Sequence, residues 1–353
     1  MTTPVSPLST RRAALALDEI TTRFGAPGAI GEVRVGEERW HGATGYADVA
    51  ARLPRHADER FRAGSVTKMV VAATALLIAA EGGLSLDDPV ARWLPELAPR
   101  NGNDLGRVTV RHLLGHTGGL FDYTRDPAMH RRLTSDFPGH RTASYQPLEL
   151  VGIALDHPRL FPPGTDWAYS NTGYVLAGLV IERATGRDFR HEVRARVIEP
   201  LSLTGTSLPG DATHLPKPHA RHYSRLSLPI PFRGTLDVTE LNPSAGGASG
   251  ELISTVRDLT VFLGALLGGR LLPAPELAEM LAPVEGSGGA HGLGVKFRRV
   301  GGELVAGYDG AIHGSITSVF GTLDGSRTAA LNVNSDWQDG AAMTAALMAA
   351  ALE

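Results

Sequence analysis

Apolar residues recur at three- and four-residue spacing over residues 8–24, which predicts an amphipathic helix ended by Gly25-Ala26-Pro27-Gly28. Alternation over 29–35 and 39–46 predicts two short strands. From Ser65 to about Glu81 the chain is almost continuously apolar, the pattern of a buried helix, and Gly82-Gly83 closes it. Residues 84–95 read as a turn and a short helix that starts at Asp87-Asp88-Pro89. Helical patterns follow over 108–114, 147–157, 172–185 (capped by Gly186) and 254–267. Between them, residues 208–243 hold many Pro and His and little periodicity, and read as a long loop. Strand patterns return over 292–300, 303–307, 315–322 and 327–333, the last two joined by an Asp324-Gly325 hairpin turn, and residues 340–352 close the chain as a helix.

Strands at both ends with helices between them predict an α/β (α+β) architecture, an antiparallel sheet flanked by helices with an inserted helical subdomain. The expected division is a discontinuous sheet domain, 1–66 and 244–353, around a mostly helical domain, 67–243. A net charge of −3 gives no reason to expect nucleic acid or an anionic membrane as partner. The absence of cysteine excludes disulfides, thiolate nucleophiles and zinc–thiolate sites. Arg11-Arg12 is followed by an apolar run of only Ala13 to Leu17, too short for a secretory signal, so a cytoplasmic location is expected. The longest apolar stretch, 69–80, is shorter than a membrane span.

Candidate chemistry concentrates in two segments. Ser65-Val66-Thr67-Lys68 puts a hydroxyl and an amine on one helix face, at i and i+3. Burial by the apolar run that follows favours the neutral amine, the form that can act as a base. The Ser65 N–H, in the first turn, is free to bind an oxyanion. Tyr169-Ser170-Asn171 adds a phenol able to pass a proton and an amide able to orient substrate or lysine. Structural readings compete: a helix-capping serine beside a surface lysine, and Asn171 as N-cap of the helix at Thr172.

With its surroundings this set resembles the serine β-lactamase and penicillin-binding protein superfamily, in particular D-alanyl-D-alanine carboxypeptidases and class C β-lactamase-like esterases. The resemblance rests on Phe61 to Lys68, Thr109 to Leu120 (with His116-Thr117-Gly118-Gly119), Pro163-Gly164 leading to Tyr169-Ser170-Asn171, Ser254-Thr255 with Asp258-Leu259, and Gly292-Leu293-Gly294. It implies a β-lactamase/transpeptidase-like fold and no cofactor or metal. In it Ser65 is the acylated nucleophile, Lys68 its partner, Tyr169 base and acid, and Asn171 a positioning residue. The family's third motif, Lys or His then Thr or Ser then Gly, whose residues edge the site and bind substrate, falls on Tyr308-Asp309-Gly310, which makes the Ala311 N–H the second oxyanion donor beside that of Ser65. The usual cation is therefore missing and an acid stands in the motif. Lys296 on the preceding strand is the nearest match to a carboxylate-binding cation, while Asp309 works against a carboxylate-bearing substrate. A second register gives the role to His313-Gly314-Ser315; otherwise His313 is a loop histidine near the site.

The implied activity is a serine hydrolase cleaving an amide or ester of a small-molecule or short-peptide acyl substrate through an acyl-enzyme. An esterase, amidase or peptide-cyclising acyltransferase of the same fold, and a non-catalytic ligand-binding homologue, remain open. Among weaker signals, His112 and His116 have a zinc-like i, i+4 spacing but read as helix-end histidines. His214, His219 and His222 have no supporting metal motif. Trp167 and Tyr174 read as core packing, with substrate wall as the alternative.

Overall fold

The computed structural model describes residues 10–226 and 235–352. The predicted helix start at residues 8–9, and residues 227–234 of the irregular segment, lie outside the described residues. Seven strands form one sheet in the order Leu53–Pro54, Glu38–Asp48, Gly28–Val35, Arg327–Val333, Ser315–Thr322, Glu303–Ile312 and Lys296–Val300. All neighbours are antiparallel. Gly28–Val35 pairs with Arg327–Val333 in a register running from Ala29 opposite Val333 to Val35 opposite Arg327. The two ends of the chain thus share one ladder, and the helical segments between them leave the sheet and return.

Side chains alternate between the faces of each strand. Val33, Val35, Phe320, Leu331 and Val333 bury one face against the terminal helices Thr10–Thr22 and Gly340–Leu352. Ile30, Ala306, Tyr308, Val319 and Ala330 lie in the second, larger core, shared with helices Thr67–Ala80, Asn171–Thr185 and Val256–Leu267. Complete burial of the larger aliphatic and phenyl side chains among these, such as Ile30, Val319 and Phe320, stabilises by roughly 1.5–3 kcal/mol each. Thr67–Ala80 is buried along most of its length, as its unbroken apolar pattern predicts.

Several boundaries move. The strand expected from residue 292 starts at Lys296, because Gly294 (φ +75°) bends the chain where it crosses Lys68 O and Ala72. The next strand runs beyond 307 to Ile312, since the segment Tyr308 to Ala311 continues the ladder with Val319, Ser318, Thr317 and Ile316. Short helices Pro127–Leu133, Phe189–Val193 and Ala274–Leu281 were not expected, being too short for a clear helical period. In the irregular segment Tyr223–Ser224 pairs with Leu236–Asp237. Among the described residues no helix is long and apolar enough to cross a membrane.

Candidate active site

Ser65 does not open the α-helix directly; it sits in a 3₁₀ turn, Gly64–Val66, that feeds into Thr67–Ala80. Two glycines let this turn meet the sheet edge backbone to backbone. Gly64 adopts φ +54°, and a Cβ there would lie 2.8–2.9 Å from the Ala311 peptide. A Cβ at Gly310 would fall 1.9 Å from Ala63 O and 2.9 Å from Ser65 N. The strand therefore sets Ala311 beside Ser65, and both line a cavity of about 360 Å³.

Lys68, three residues on, is fully buried. Its Nζ lies 2.8 Å from Asn171 Oδ1, 2.7 Å from Ser249 O and 3.2 Å from Ser65 Oγ. The first two partners can only accept. A neutral amine has two N–H groups and one lone pair, so donating to both carbonyls turns the lone pair toward the Ser65 hydroxyl. Burial brings this amine down to about 7; Asp122 opposes the shift and Lys296 adds to it. Lys68 Nζ also lies 4.8 Å from the Tyr169 ring centroid and 5.5 Å from that of Tyr174, so apolar and aromatic surface replaces water around it.

Tyr169 Oη is 2.8 Å from Ser65 Oγ. Burial raises its pKa and Asp122 adds to that, while hydrogen bonds with Ser65 and Tyr308 work in the opposite direction. The phenol stays protonated at neutral pH and is an acid before it is a base. Asn171 is not the N-cap; Ser170 is, and Asn171 is the first residue of Asn171–Thr185. Its side chain turns inward, Nδ2 donating to Asp122 Oδ2 at 3.0 Å, which fixes Oδ1 toward Lys68. Asp122 also accepts from the Asn171 and Thr124 backbone amides, so it is spent as an orienting group.

Tyr308 fills the third-motif position but is fully buried and does not touch the cavity. Behind it sits His116, in a left-handed turn (φ +61°) after its helix. The Ser170 N–H donates to His116 Nδ1 (3.3 Å), which puts the ring proton on Nε2, 3.4 Å from Tyr308 Oη. The result is a hydrogen-bonded line of neutral groups behind Tyr169 where the resemblance implies a cation. Burial holds the His116 pKa well down and the Tyr308 pKa well up, so neither carries charge.

The structure thus brings Ser65, Lys68, Tyr169, Asn171 and Ala311 together. Others expected near substrate lie elsewhere. Asp309 faces away from Tyr308 by strand alternation and is bound by Ser318, Arg298 and Lys296, the last at 3.5 Å. Neither Asp309 nor Lys296 lines the cavity, so the acid is neutralised and the lysine engaged. Gly310 contributes close approach rather than a contact. His313 does line the cavity, with its ring stacked on Phe137 at 3.6 Å and its Nε2 donating to Leu133 O. Trp167 and Tyr174 pack behind the site around His116. His112 closes a capping box with Thr109, far in role from His116. Among the described residues no cluster of three or more side chains could hold a metal ion. Sequence reasoning missed Asp122 and the Ser249 carbonyl; Asp122 had a signal, an Asx-type cap before Tyr123-Thr124, and a backbone carbonyl has none.

Esterase EstB of Burkholderia gladioli is 41% identical over 182 residues, 50% of this chain and 45% of the esterase. A penicillin-binding protein of Bacillus subtilis is 31% identical over 48% of this chain and 35% of its own length. The chain therefore aligns with less than half the length of these two relatives. Solved structures cover more: a D-stereospecific amidohydrolase from Streptomyces sp. superposes with a TM-score of 0.88 at 41% identity, over 95% of this chain and 97% of that one. D-amino acid amidase from Ochrobactrum anthropi SV3 superposes with a TM-score of 0.82 at 29% identity, over 96% and 97%. The Beta-lactamase family model matches residues 17–353, sheet and helical insertion alike, and the chain belongs to that family.

Proposed function

We propose that the protein is a serine hydrolase that cleaves an amide or ester through an acyl-enzyme on Ser65. The observation that carries this reading is the convergence of Lys68 Nζ and Tyr169 Oη on Ser65 Oγ, at 3.2 and 2.8 Å, at the edge of a cavity. In acylation the neutral Lys68 amine takes the Ser65 proton as Oγ bonds to the substrate carbonyl carbon. The amides of Ser65 and Ala311 hold the resulting oxyanion. Tyr169 gives its proton to the leaving nitrogen or oxygen, and its phenolate then faces the Lys68 ammonium. In deacylation water gives a proton to that phenolate and attacks the acyl carbon. Ser65 Oγ departs with the proton held on Lys68, which restores every group.

The named activities of the two superposed enzymes, a D-stereospecific amidohydrolase and a D-amino acid amidase, support an amide as substrate, and that of esterase EstB supports an ester. A carboxypeptidase reading is weaker, because the cation expected to meet a terminal carboxylate, Lys296, is paired with Asp309 outside the cavity. To test the reading, the protein is treated with a fluorophosphonate probe, digested and mapped by mass spectrometry. The expected adduct is on the peptide containing Ser65. A cavity that binds acyl ligands while Ser65 stays unlabelled would place the chain among non-catalytic homologues.

A further inference from the structure

The cavity beside Ser65 is lined by apolar side chains from separate segments, Leu133, Phe137, Leu226, Leu241 and Ile312 among them. One carboxylate, Asp336, reaches it from the end of strand Arg327–Val333, and among the described residues no Lys or Arg lines it. We propose that Asp336 and this apolar wall form a subsite for a protonated amine, so that preferred substrates are amides or esters whose apolar acyl group bears an ammonium. The inference deepens the hydrolase reading and rests on it.

Two carboxylates near the site differ in how they are used. Asp122 accepts from four donors: the Thr124 amide and hydroxyl on Oδ1, and the Asn171 amide and side chain on Oδ2. Its acceptor capacity is filled. Asp336 accepts one backbone N–H on each oxygen, Gly314 N at 3.0 Å and Arg225 N at 3.2 Å. Those amides hold the carboxylate in place and leave each oxygen a free lone pair. The Arg225 guanidinium lies over the Trp337 ring at 4.2 Å. His313, which shares the wall, does not compete as a cation. It donates to Leu133 O, and burial lowers its pKa. A cavity with apolar walls and one fixed anion attracts an ammonium and repels a carboxylate on the same acyl group.

The test compares kcat/KM for three p-nitroanilide or p-nitrophenyl substrates that share a benzyl acyl group: phenylalanyl (both enantiomers), N-acetylphenylalanyl and 3-phenylpropionyl. In the wild type the free-amine substrate of one enantiomer should exceed its N-acetyl form by roughly tenfold or more. In Asp336→Asn that ratio should fall by roughly tenfold to hundredfold, chiefly through KM. Equal rates for amine and N-acetyl substrates in the wild type would overturn the subsite, as would an Asp336→Asn variant that slows both equally. The wild-type comparison stands even if the variant fails to fold. Probe labelling of Ser65 reports the hydrolase reading separately. Labelled enzyme without amine preference overturns the subsite alone, whereas absence of both labelling and turnover overturns the two together.

Discussion

Lys68→Ala should lower kcat/KM by about 10⁴–10⁶-fold, as much as Ser65→Ala, and the double variant should be no slower than either single one. The reason lies in the partners of Nζ. With both N–H groups committed to Asn171 Oδ1 and Ser249 O, the amine has one function left, to accept the proton of Ser65. Nothing nearby replaces it: Tyr169 is protonated at neutral pH, and His116 points its proton at Tyr308. The alcohol without its base, or the base without its alcohol, gives the same inactive site. Steady-state kinetics on all three variants checks this; losses that multiply in the double variant would show that the two groups act independently. Lys68→Ala also takes the donor from the buried Ser249 carbonyl, at a cost of about 1–3 kcal/mol, and leaves Asn171 Oδ1 the longer bond from Tyr169 Oη (3.4 Å), so folding is verified by circular dichroism.

Tyr169→Phe should cost about 10²–10⁴-fold, and the loss should depend on the leaving group. An amide nitrogen must be protonated before it departs, and Tyr169 Oη, 2.8 Å from Ser65 Oγ, is the acid in position to do so. A p-nitrophenolate leaves without that help. The variant should therefore be damaged far more toward an amide than toward the p-nitrophenyl ester of the same acyl group. Equal losses on both substrates would assign Tyr169 to a step other than leaving-group protonation.

Much of the fold was legible because its periodicities are clean. The unbroken apolar run after Ser65 reads as a buried helix, and Asp324-Gly325 between two alternating stretches reads as a hairpin. Ser65 and Lys68 were legible together because one helical turn fixes which side chains meet, whereas Tyr169, 104 residues on, joined them only through the family resemblance. What escaped depends on distant pairings. Nothing local says that Asp309 faces Arg298 and Lys296 across the sheet, so the acid looked like part of the substrate site when strand alternation turns it away. Tyr308 read as a substrate contact because its slot usually holds a cation; full burial makes it a support for Tyr169 instead. Asp336 carries no motif, and only the sheet's closure brings it to the cavity.

The dependence of the acylation rate on pH tests most directly the claim that a neutral, buried amine activates Ser65. Burial brings Lys68 down to about 7, so below that value the amine is an ammonium without a lone pair, and above it the base is present. Single-turnover acylation by an aryl ester, followed from pH 5 to 9, should rise about tenfold per pH unit at the acid end and level off above neutrality. A rate still climbing steadily at pH 9, as an ordinary lysine would give, or one flat across the whole range, would contradict the account.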